Sequence, residues 1–178
     1  MKAAQPPEYM MGFYEPDWSP GDSSNIGFAS AAATWSTTLA KLEQRGTLVG
    51  SPSLAKQLAD DWLGPFKNTP QHPEWNFTCI HTNKNSSDGV KADVEQYLAR
   101  YKKPIWVSEF SCMNDLDWTA CEDPTTFIKE TVKYLEENPN VIAYGYSNGD
   151  GLPDGWKLLD SNGKITANGQ TYLTALGG

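Results

Sequence analysis

Short apolar runs alternate with amphipathic segments along most of the chain. Five of the runs have the character of strands covered on both faces, because their apolar residues scarcely alternate with polar ones. These runs are residues 9–13, 47–50, 76–81, 104–110 and 141–146. Between the runs, apolar residues recur every three or four positions, which is the spacing of one helix face. The pattern therefore predicts five strand–helix units.

The predicted helices each carry one apolar face. The faces comprise, in chain order, Trp35, Leu39 and Leu42; Leu54, Leu58, Trp62 and Phe66; Val90, Val94, Leu98 and Tyr101; and Ile128, Val132 and Leu135. Gly46 ends the first helix, Asp123 followed by Pro124 begins the fourth, and a short helix near residues 168–176 closes the chain. Strands that alternate with helices predict an α/β fold with a parallel sheet, formed by residues 1–178 as a single domain.

Polar side chains stand where the predicted strands end. The first strand ends in Glu15, the third in His81, the fourth in Glu109, and the fifth in Tyr144 and Tyr146. Functional groups of parallel α/β folds gather at the carboxyl ends of the strands. We therefore expect these side chains to converge on one rim.

Two carboxylates on one rim suit glycoside hydrolysis. One carboxylic acid protonates the leaving oxygen while the other carboxylate attacks or activates water. Taken singly, each glutamate has the alternative interpretation of a solvated loop acid or a partner of a helix end. Glu15 and Glu109 occur on the same predicted rim, each beside aromatic residues, and this favours a catalytic pair over two unrelated loop acids.

Composition and charge indicate which kind of molecule the protein binds. The net charge is −8, and Lys and Arg form no run, which argues against nucleic acid or an anionic membrane. Seven tryptophans and eight tyrosines offer flat apolar faces suited to sugar rings. Cysteine and histidine show no spacing typical of a metal site, so we expect neither a metal nor a cofactor.

The three cysteines have different surroundings in the sequence. Cys112 and Cys121 flank a polar loop that a disulfide between them could close. Cys79 lies in an apolar run and is expected to be a buried free thiol.

Five motifs carry a resemblance to a known family. In order they are MGFYEPD, GSPS, DWLGPF, IH and KPIWVSEF. They resemble the catalytic core of glycoside hydrolase family 128, which comprises fungal and bacterial β-1,3-glucanases. The resemblance implies a (β/α)8 TIM barrel of which this chain covers about strands four to eight, and a retaining mechanism. Glu15 then matches the acid/base and Glu109 the nucleophile. The resemblance also implies a secreted or cell-wall-associated protein.

The surroundings of the two acids depart from the family pattern. Tyr14 stands where the family usually has an Asn that contacts the sugar 2-hydroxyl, and Asn83 lies in a stretch that lacks the usual aromatic residues. With His81, Trp18, Trp106, Tyr144 and Tyr146 these are the predicted substrate-binding residues, the two tryptophans as a sugar platform. Two hypotheses stay open: a β-glucan hydrolase, and a carbohydrate-binding protein on the same scaffold.

The first and last strands predict a further property. If strands four to eight stand alone, residues 9–13 and 141–146 each present an unpaired sheet edge. We therefore expect self-association through these edges.

Overall fold

The computed structural model describes residues 5–19, 21, 23–55, 59–114, 119–148, 152 and 154–177. Strands and helices alternate along this part of the chain, as the sequence predicts. In order they are β1 Tyr9–Met10, α1 Phe28–Thr37, α2 Leu39–Glu43, β2 Leu48–Val49, α3 Gly64–Lys67, β3 Thr78–Lys84, α4 Ser87–Tyr101, β4 Ile105–Cys112, α5 Pro124–Glu137, β5 Val141–Tyr146 and α6 Ala167–Ala175. A π-helical turn, Ala59–Leu63, precedes α3, and a 3-10 turn, Asp154–Trp156, precedes α6. No described helix is long and apolar enough to cross a bilayer.

All pairings between these strands are parallel, so the predicted α/β class is confirmed. β1 and β2 form one sheet, and β3, β4 and β5 form a second sheet in that order. Within the described residues, β1 and β5 pair with one neighbour each and not with one another. The closed eight-stranded barrel and the numbering of strands four to eight stay predictions.

Hydrogen bonds outside the regular ladder join the two sheets between β2 and β3. The backbone N–H of Val49 donates to the side-chain Oδ1 of Asn76 at 2.7 Å. The backbone N–H of Asn76 donates to the Val49 carbonyl, also at 2.7 Å. Farther along, the Cys79 amide donates to Ser51 Oγ at 2.9 Å. Gly50 is required there, because a Cβ at this position would collide with the side chains of Phe77 and Cys79. The strands therefore follow one another in chain order across a continuous surface.

The helices cover one face of this surface. Ile80, Ile105, Val107 and Phe110 of β3 and β4 are buried in a single core with apolar residues of α4 and α5. On the α4 and α5 side this core contains Val90, Val94, Ile128 and Val132. Trp35 and Trp62 belong to the same core, as predicted, and both lie within ring-contact distance of Phe66.

Two of the predicted helices are interrupted. The first predicted helix, with Trp35, Leu39 and Leu42 on its apolar face, breaks at Thr38. The Thr38 hydroxyl donates to the Thr34 carbonyl at 2.6 Å. Hydroxyl groups that bond to the preceding turn in this way bend helices. The helical face containing Trp62 and Phe66 is divided between the π-helical turn and the short α3, where Pro65 lacks an amide donor. Leu58 lies outside the described residues.

The predicted start of α5 is confirmed. Asp123 is its N-cap, and Oδ1 accepts hydrogen bonds from the amides of Thr125 at 3.0 Å and Thr126 at 3.1 Å. Hydrogen bonds from Thr126 lower the pKa of the Asp123 carboxyl. Pro124 occupies the first turn, where a missing amide donor is harmless.

Candidate active site

Glu15 sits on a turn with an uncommon backbone conformation. Tyr14 still pairs in parallel with Ser53, and the Glu15 amide donates to the Ser53 carbonyl at 2.8 Å. The φ angle of Glu15 is then 44°, in the left-handed region, which costs a non-glycine residue about 1–3 kcal/mol. Asp17 holds the turn in place, because its Oδ1 accepts from the Ala55 amide at 2.9 Å. The EPD sequence thus ends the strand and fixes the first acid.

A β-bulge positions Glu109 on β4. Ile80 pairs with Val107 but His81 pairs with Glu109, so Ser108 is an extra residue relative to β3. The Ser108 hydroxyl donates to the Ile80 carbonyl at 3.2 Å and bridges the irregularity. Val107 and Phe110 both remain in the core shared with the helices. Bulges of this kind change the direction of a side chain beside functional sites, and here the affected residue is Glu109.

The structure brings together three of the predicted site residues around the two acids. His81 Nδ1 lies 3.1 Å from Glu15 Oε1. Asn83 Nδ2 donates to Glu109 Oε1 at 2.8 Å, and the Tyr14 hydroxyl donates to Glu109 Oε2 at 3.1 Å. One ligand atom each of Glu15, His81 and Glu109 lie within 4.8 Å of one another. Tyr14, Glu15, His81, Asn83 and Glu109 therefore form one site.

Burial differs across this site. The His81 side chain is fully buried and that of Glu15 is 18% exposed. Asn83 is buried, whereas Tyr14 is 46% exposed. Glu109 thus accepts one hydrogen bond from the interior and one from the solvent side.

Ser111 is a further member of the site, and the sequence pattern does not predict it. Its hydroxyl donates to Asn83 Oδ1 at 2.7 Å, and Ser111 pairs with Asn83 across β3 and β4. The available signal was its position two residues after Glu109, directly after the predicted strand of residues 104–110. The bulge and the partner strand had to be known before that signal had a meaning.

Tyr144 and Tyr146 do not join the acids, contrary to the prediction. The Tyr144 hydroxyl donates to Glu136 on α5, and the Tyr146 hydroxyl donates to the Trp156 carbonyl at 2.9 Å. The Tyr146 ring meets Phe110 edge-on at 5.1 Å. Both residues occupy the helix-facing side of β5, because side chains of a strand alternate between its faces. Burial raises the pKa of Tyr146 to about 12.

The two tryptophans predicted as a sugar platform have different positions. Trp106 lies three residues before Glu109, and its ring centroid is 5.8 Å from that of Tyr9 and 5.4 Å from that of Phe77. These contacts place Trp106 in an aromatic cluster near the beginning of β4. Trp18 is half-buried in the turn that follows Glu15. The sugar-platform role of both residues stays a prediction.

The cysteines are paired in the way that their positions in the sequence allow. A disulfide joins Cys112 at the end of β4 to Cys121, with Cα atoms 5.3 Å apart. Cys79 is a buried free thiol, and burial raises its pKa to about 12. The disulfide closes the loop that leaves β4 just after Glu109 and Ser111.

The site consists of two carboxylates, Glu15 and Glu109, each in contact with a neighbouring polar side chain. Glu15, His81 and Glu109 offer a nitrogen and two carboxylate ligands that a cation could also use. Asn83 and Tyr14 already donate to both oxygens of Glu109. A separate groove of about 470 Å³ lies where β4 begins, and none of the predicted site residues lines it.

Comparison with known proteins agrees with this geometry. The family described as Glycosyl hydrolase catalytic core matches residues 1–172. A family 128 oligosaccharide-binding protein from Cryptococcus neoformans is 43% identical over 99% of this chain and 71% of its own, with a TM-score of 0.90. The chain belongs to glycoside hydrolase family 128. The resemblance inferred from the sequence motifs is thereby confirmed.

Further relatives of this family 128 chain differ in their described roles. An oligosaccharide-binding protein from Trichoderma gamsii is 37% identical over 96% of this chain and 68% of its own, with a TM-score of 0.90. An exo-β-1,3-glucanase from Cryptococcus neoformans is 25% identical, covers 94% of this chain and 69% of its own, and has a TM-score of 0.77.

A curated relative is much longer than this chain. Alkali-sensitive linkage protein 1 of Schizosaccharomyces pombe is 26% identical over 174 residues, which is 93% of this chain and 32% of that protein. The family 128 chain thus spans about a third of the length of this relative.

Proposed function

We propose that the protein binds β-1,3-glucan oligosaccharides beside Glu15 and Glu109 and hydrolyses them with retention of configuration. The observation that carries the proposal is the approach of the two acids, whose nearest carboxylate oxygens lie within 4.8 Å. Retaining enzymes place their carboxyl groups about 5–5.5 Å apart, whereas inverting enzymes leave about 6.5–9.5 Å for a water molecule. The acid pair therefore supports the retaining alternative.

The two acids have distinct roles in this reaction. Glu109 attacks the anomeric carbon as the glycosidic carbon–oxygen bond breaks, and Glu15 donates a proton to the departing oxygen. Water then attacks the glycosyl-enzyme, Glu15 takes a proton from that water, and Glu109 leaves as a carboxylate.

Neighbouring side chains position these acids. Asn83 holds Glu109 from the buried side through a charge-assisted hydrogen bond, and Ser111 fixes the direction of the Asn83 amide. His81 lies against Glu15 and limits its rotation. The first acid also sits on a turn that Asp17 ties down, so both acids are held before a sugar arrives.

Binding without efficient turnover is the second candidate function. Both oxygens of Glu109 accept hydrogen bonds, one of them from the exposed Tyr14. Two relatives that are 43% and 37% identical are described as oligosaccharide-binding proteins. These observations favour a site that recognises the sugar more strongly than it cleaves it.

One experiment separates the candidates. Laminari-oligosaccharides are titrated into the wild type, Glu109→Gln and the exposed control Glu137→Gln by calorimetry, and product anomers are followed by NMR. Hydrolysis that first releases the β-anomer, and that only Glu109→Gln abolishes, supports the retaining hydrolase. Binding with no product supports the second candidate. Absence of both binding and product contradicts the proposed function altogether.

We also propose the finer fold and location that the family suggests. The parallel strands follow one another in chain order, and the 0.90 TM-scores to relatives support placing them as strands four to eight of a TIM barrel. The disulfide between Cys112 and Cys121 supports an oxidising compartment, and hence a secreted or cell-wall-associated protein. Recovery of the natural protein with both cysteines reduced inside cells would contradict this location.

A further inference from the structure

We propose that Tyr14 restrains turnover by holding Glu109 Oε2, so that this one hydroxyl lowers the rate of cleavage without changing the affinity for the sugar. The inference rests on the proposed function, because it assigns Glu109 as the nucleophile. Tyr14 is a positioning residue in this scheme, since it acts on the sugar through Glu109.

The two hydrogen bonds to Glu109 come from opposite sides. Asn83 is buried and donates to Oε1 at 2.8 Å, with its own amide oxygen engaged by Ser111. Tyr14 is 46% exposed and donates to Oε2 at 3.1 Å. A sugar must approach Glu109 from the solvent side, because the other side is filled by Asn83 and β3. Oε2 is therefore the attacking oxygen, and it is the oxygen that Tyr14 holds.

The Tyr14 ring is supported in this position. Its centroid lies 4.9 Å from that of His81, which itself contacts Glu15. The backbone is fixed as well, because Tyr14 pairs with Ser53 and the Ser24 amide donates to its carbonyl at 2.9 Å. Tyr14 thus contacts Glu109 directly and Glu15 through His81, and the fold places its hydroxyl.

The hydroxyl of Tyr14 affects the attacking oxygen electronically. A donated hydrogen bond stabilises the negative charge of a carboxylate, and this stabilisation is lost as the charge moves into the new carbon–oxygen bond. The bond therefore favours the ground state over the transition state. Removing a hydrogen bond to a charged group is expected to raise the rate of glycosylation about tenfold.

Glycosylation can be measured without the acid step. The probe is 2,4-dinitrophenyl 2-deoxy-2-fluoro-β-laminaribioside, whose leaving group needs no proton. Glu109 Oε2 forms a bond to the anomeric carbon, the bond to the dinitrophenyl oxygen breaks, and dinitrophenolate departs with the electron pair. Its colour and peptide mass spectrometry of labelled Glu109 report the same step.

The test compares the wild type with Tyr14→Phe, which keeps the ring and removes the hydroxyl. The control is Tyr9→Phe, because Tyr9 is 42% exposed and lies in the aromatic cluster with Trp106. We expect about tenfold faster labelling at saturating probe in Tyr14→Phe, with laminaritriose affinity and melting temperature unchanged and Tyr9→Phe like the wild type. The separation of maximal rate from affinity distinguishes restraint from a merely structural role.

Other outcomes would overturn the inference in different ways. Equal or slower labelling of Tyr14→Phe shows that the hydroxyl does not restrain Glu109, while the proposed function stands. Weaker affinity at an unchanged rate makes Tyr14 a ligand contact instead. Failure of every variant to be labelled shows that Glu109 is not a nucleophile. The proposed hydrolysis then fails together with the inference.

Discussion

The Ser111 hydroxyl donates to Asn83 Oδ1 at 2.7 Å, and the Asn83 amide nitrogen donates to Glu109 Oε1 at 2.8 Å. The first bond determines the second, because an amide whose oxygen accepts from Ser111 presents its NH2 group to the carboxylate. Asn83 and Ser111 are both buried, so neither finds water as a substitute partner. Ser111 therefore sets the position of Glu109 without touching it.

Ser111→Ala is expected to lower kcat on laminari-oligosaccharides about three- to tenfold with little change in KM. The variant frees the Asn83 amide to rotate, so that Glu109 loses a fixed support on its buried side. Steady-state kinetics provide the measurement. The exposed Ser36→Ala is the control, since its hydroxyl donates to the Ala33 carbonyl within α1 and lies outside the site. An unchanged kcat in Ser111→Ala would separate Ser111 from the function of Glu109.

Glu15→Gln is expected to distinguish the acid from the nucleophile. On oligosaccharides, loss of the proton donor should reduce kcat about 10²- to 10⁴-fold. On dinitrophenyl β-laminaribioside, formation of the glycosyl-enzyme should persist, because dinitrophenolate leaves without a proton. Added azide should then replace water and speed release of the intermediate, which gives a β-glycosyl azide detectable by mass spectrometry. Equal losses on both substrates would argue against Glu15 as the acid.

The sequence predicted the strands and both acids better than it predicted the neighbours of the acids. Apolar runs locate buried strands, and Glu15 and Glu109 were predicted because they stand where two of these runs end. Tyr144 and Tyr146 were misplaced because a run that does not alternate carries no information about which face a residue occupies. The β5 ladder skips from Tyr144 opposite Val107 to Tyr146 opposite Phe110, and only the structure reveals this register.

The contacts of Tyr14 and Ser111 depend on strand register as well. Ser108 has no partner residue in the register with β3. The residues next to it include no Gly or Pro from which the bulge could be predicted. The break at Thr38 was similarly hidden, because Trp35, Leu39 and Leu42 keep helical spacing across it. Long-range hydrogen bonds determine these details, and a single sequence does not contain them in readable form.

The number of thiols that react with a labelling reagent should depend on unfolding and on reduction. Native protein is expected to show none reactive near pH 8, because Cys112 and Cys121 are joined and burial raises the pKa of Cys79 to about 12. Unfolding without a reductant should expose one thiol, and unfolding with a reductant should expose all three. Replacing Cys112 and Cys121 together by serine should lower the unfolding free energy by about 2–3 kcal/mol. Two or more reactive thiols after unfolding without a reductant would contradict the pairing.

Asp93 should make stability depend on pH in a particular direction. Burial raises its pKa above 3.8, despite the opposing effects of Lys84 and of the hydrogen bond from Thr82. A raised folded-state pKa means that the folded protein binds this proton more tightly than the unfolded chain does. The contribution is present below the unfolded value and is lost as pH rises through the folded value.

Urea unfolding of the wild type and Asp93→Asn across the acidic range measures this contribution. The unfolding free energy of the wild type should fall relative to that of Asp93→Asn as pH rises from below 4 toward neutrality. Asp123→Asn is a contrasting variant, because the pKa of Asp123 is lowered and its contribution has the opposite sign. A wild type that gains stability relative to Asp93→Asn over this range would refute the assignment.

Self-association is the last prediction, and it follows from the two strands with one neighbour each. Within the described residues β1 pairs with β2 alone and β5 with β4 alone, so each leaves one edge of backbone donors and acceptors without a strand partner. Tyr9 is 42% exposed beside the first edge, and Ile142 is 47% exposed beside the second. Exposed edges with apolar side chains are templates for pairing with another strand.

Light scattering after size exclusion should therefore show a mass above 19.7 kDa that rises with concentration. Ile142→Lys should reduce the association because a charge on an edge disfavours pairing. Leu173→Lys is the control, because Leu173 lies on α6 and is 46% exposed. A monomer at every concentration would show that neither edge recruits a second copy.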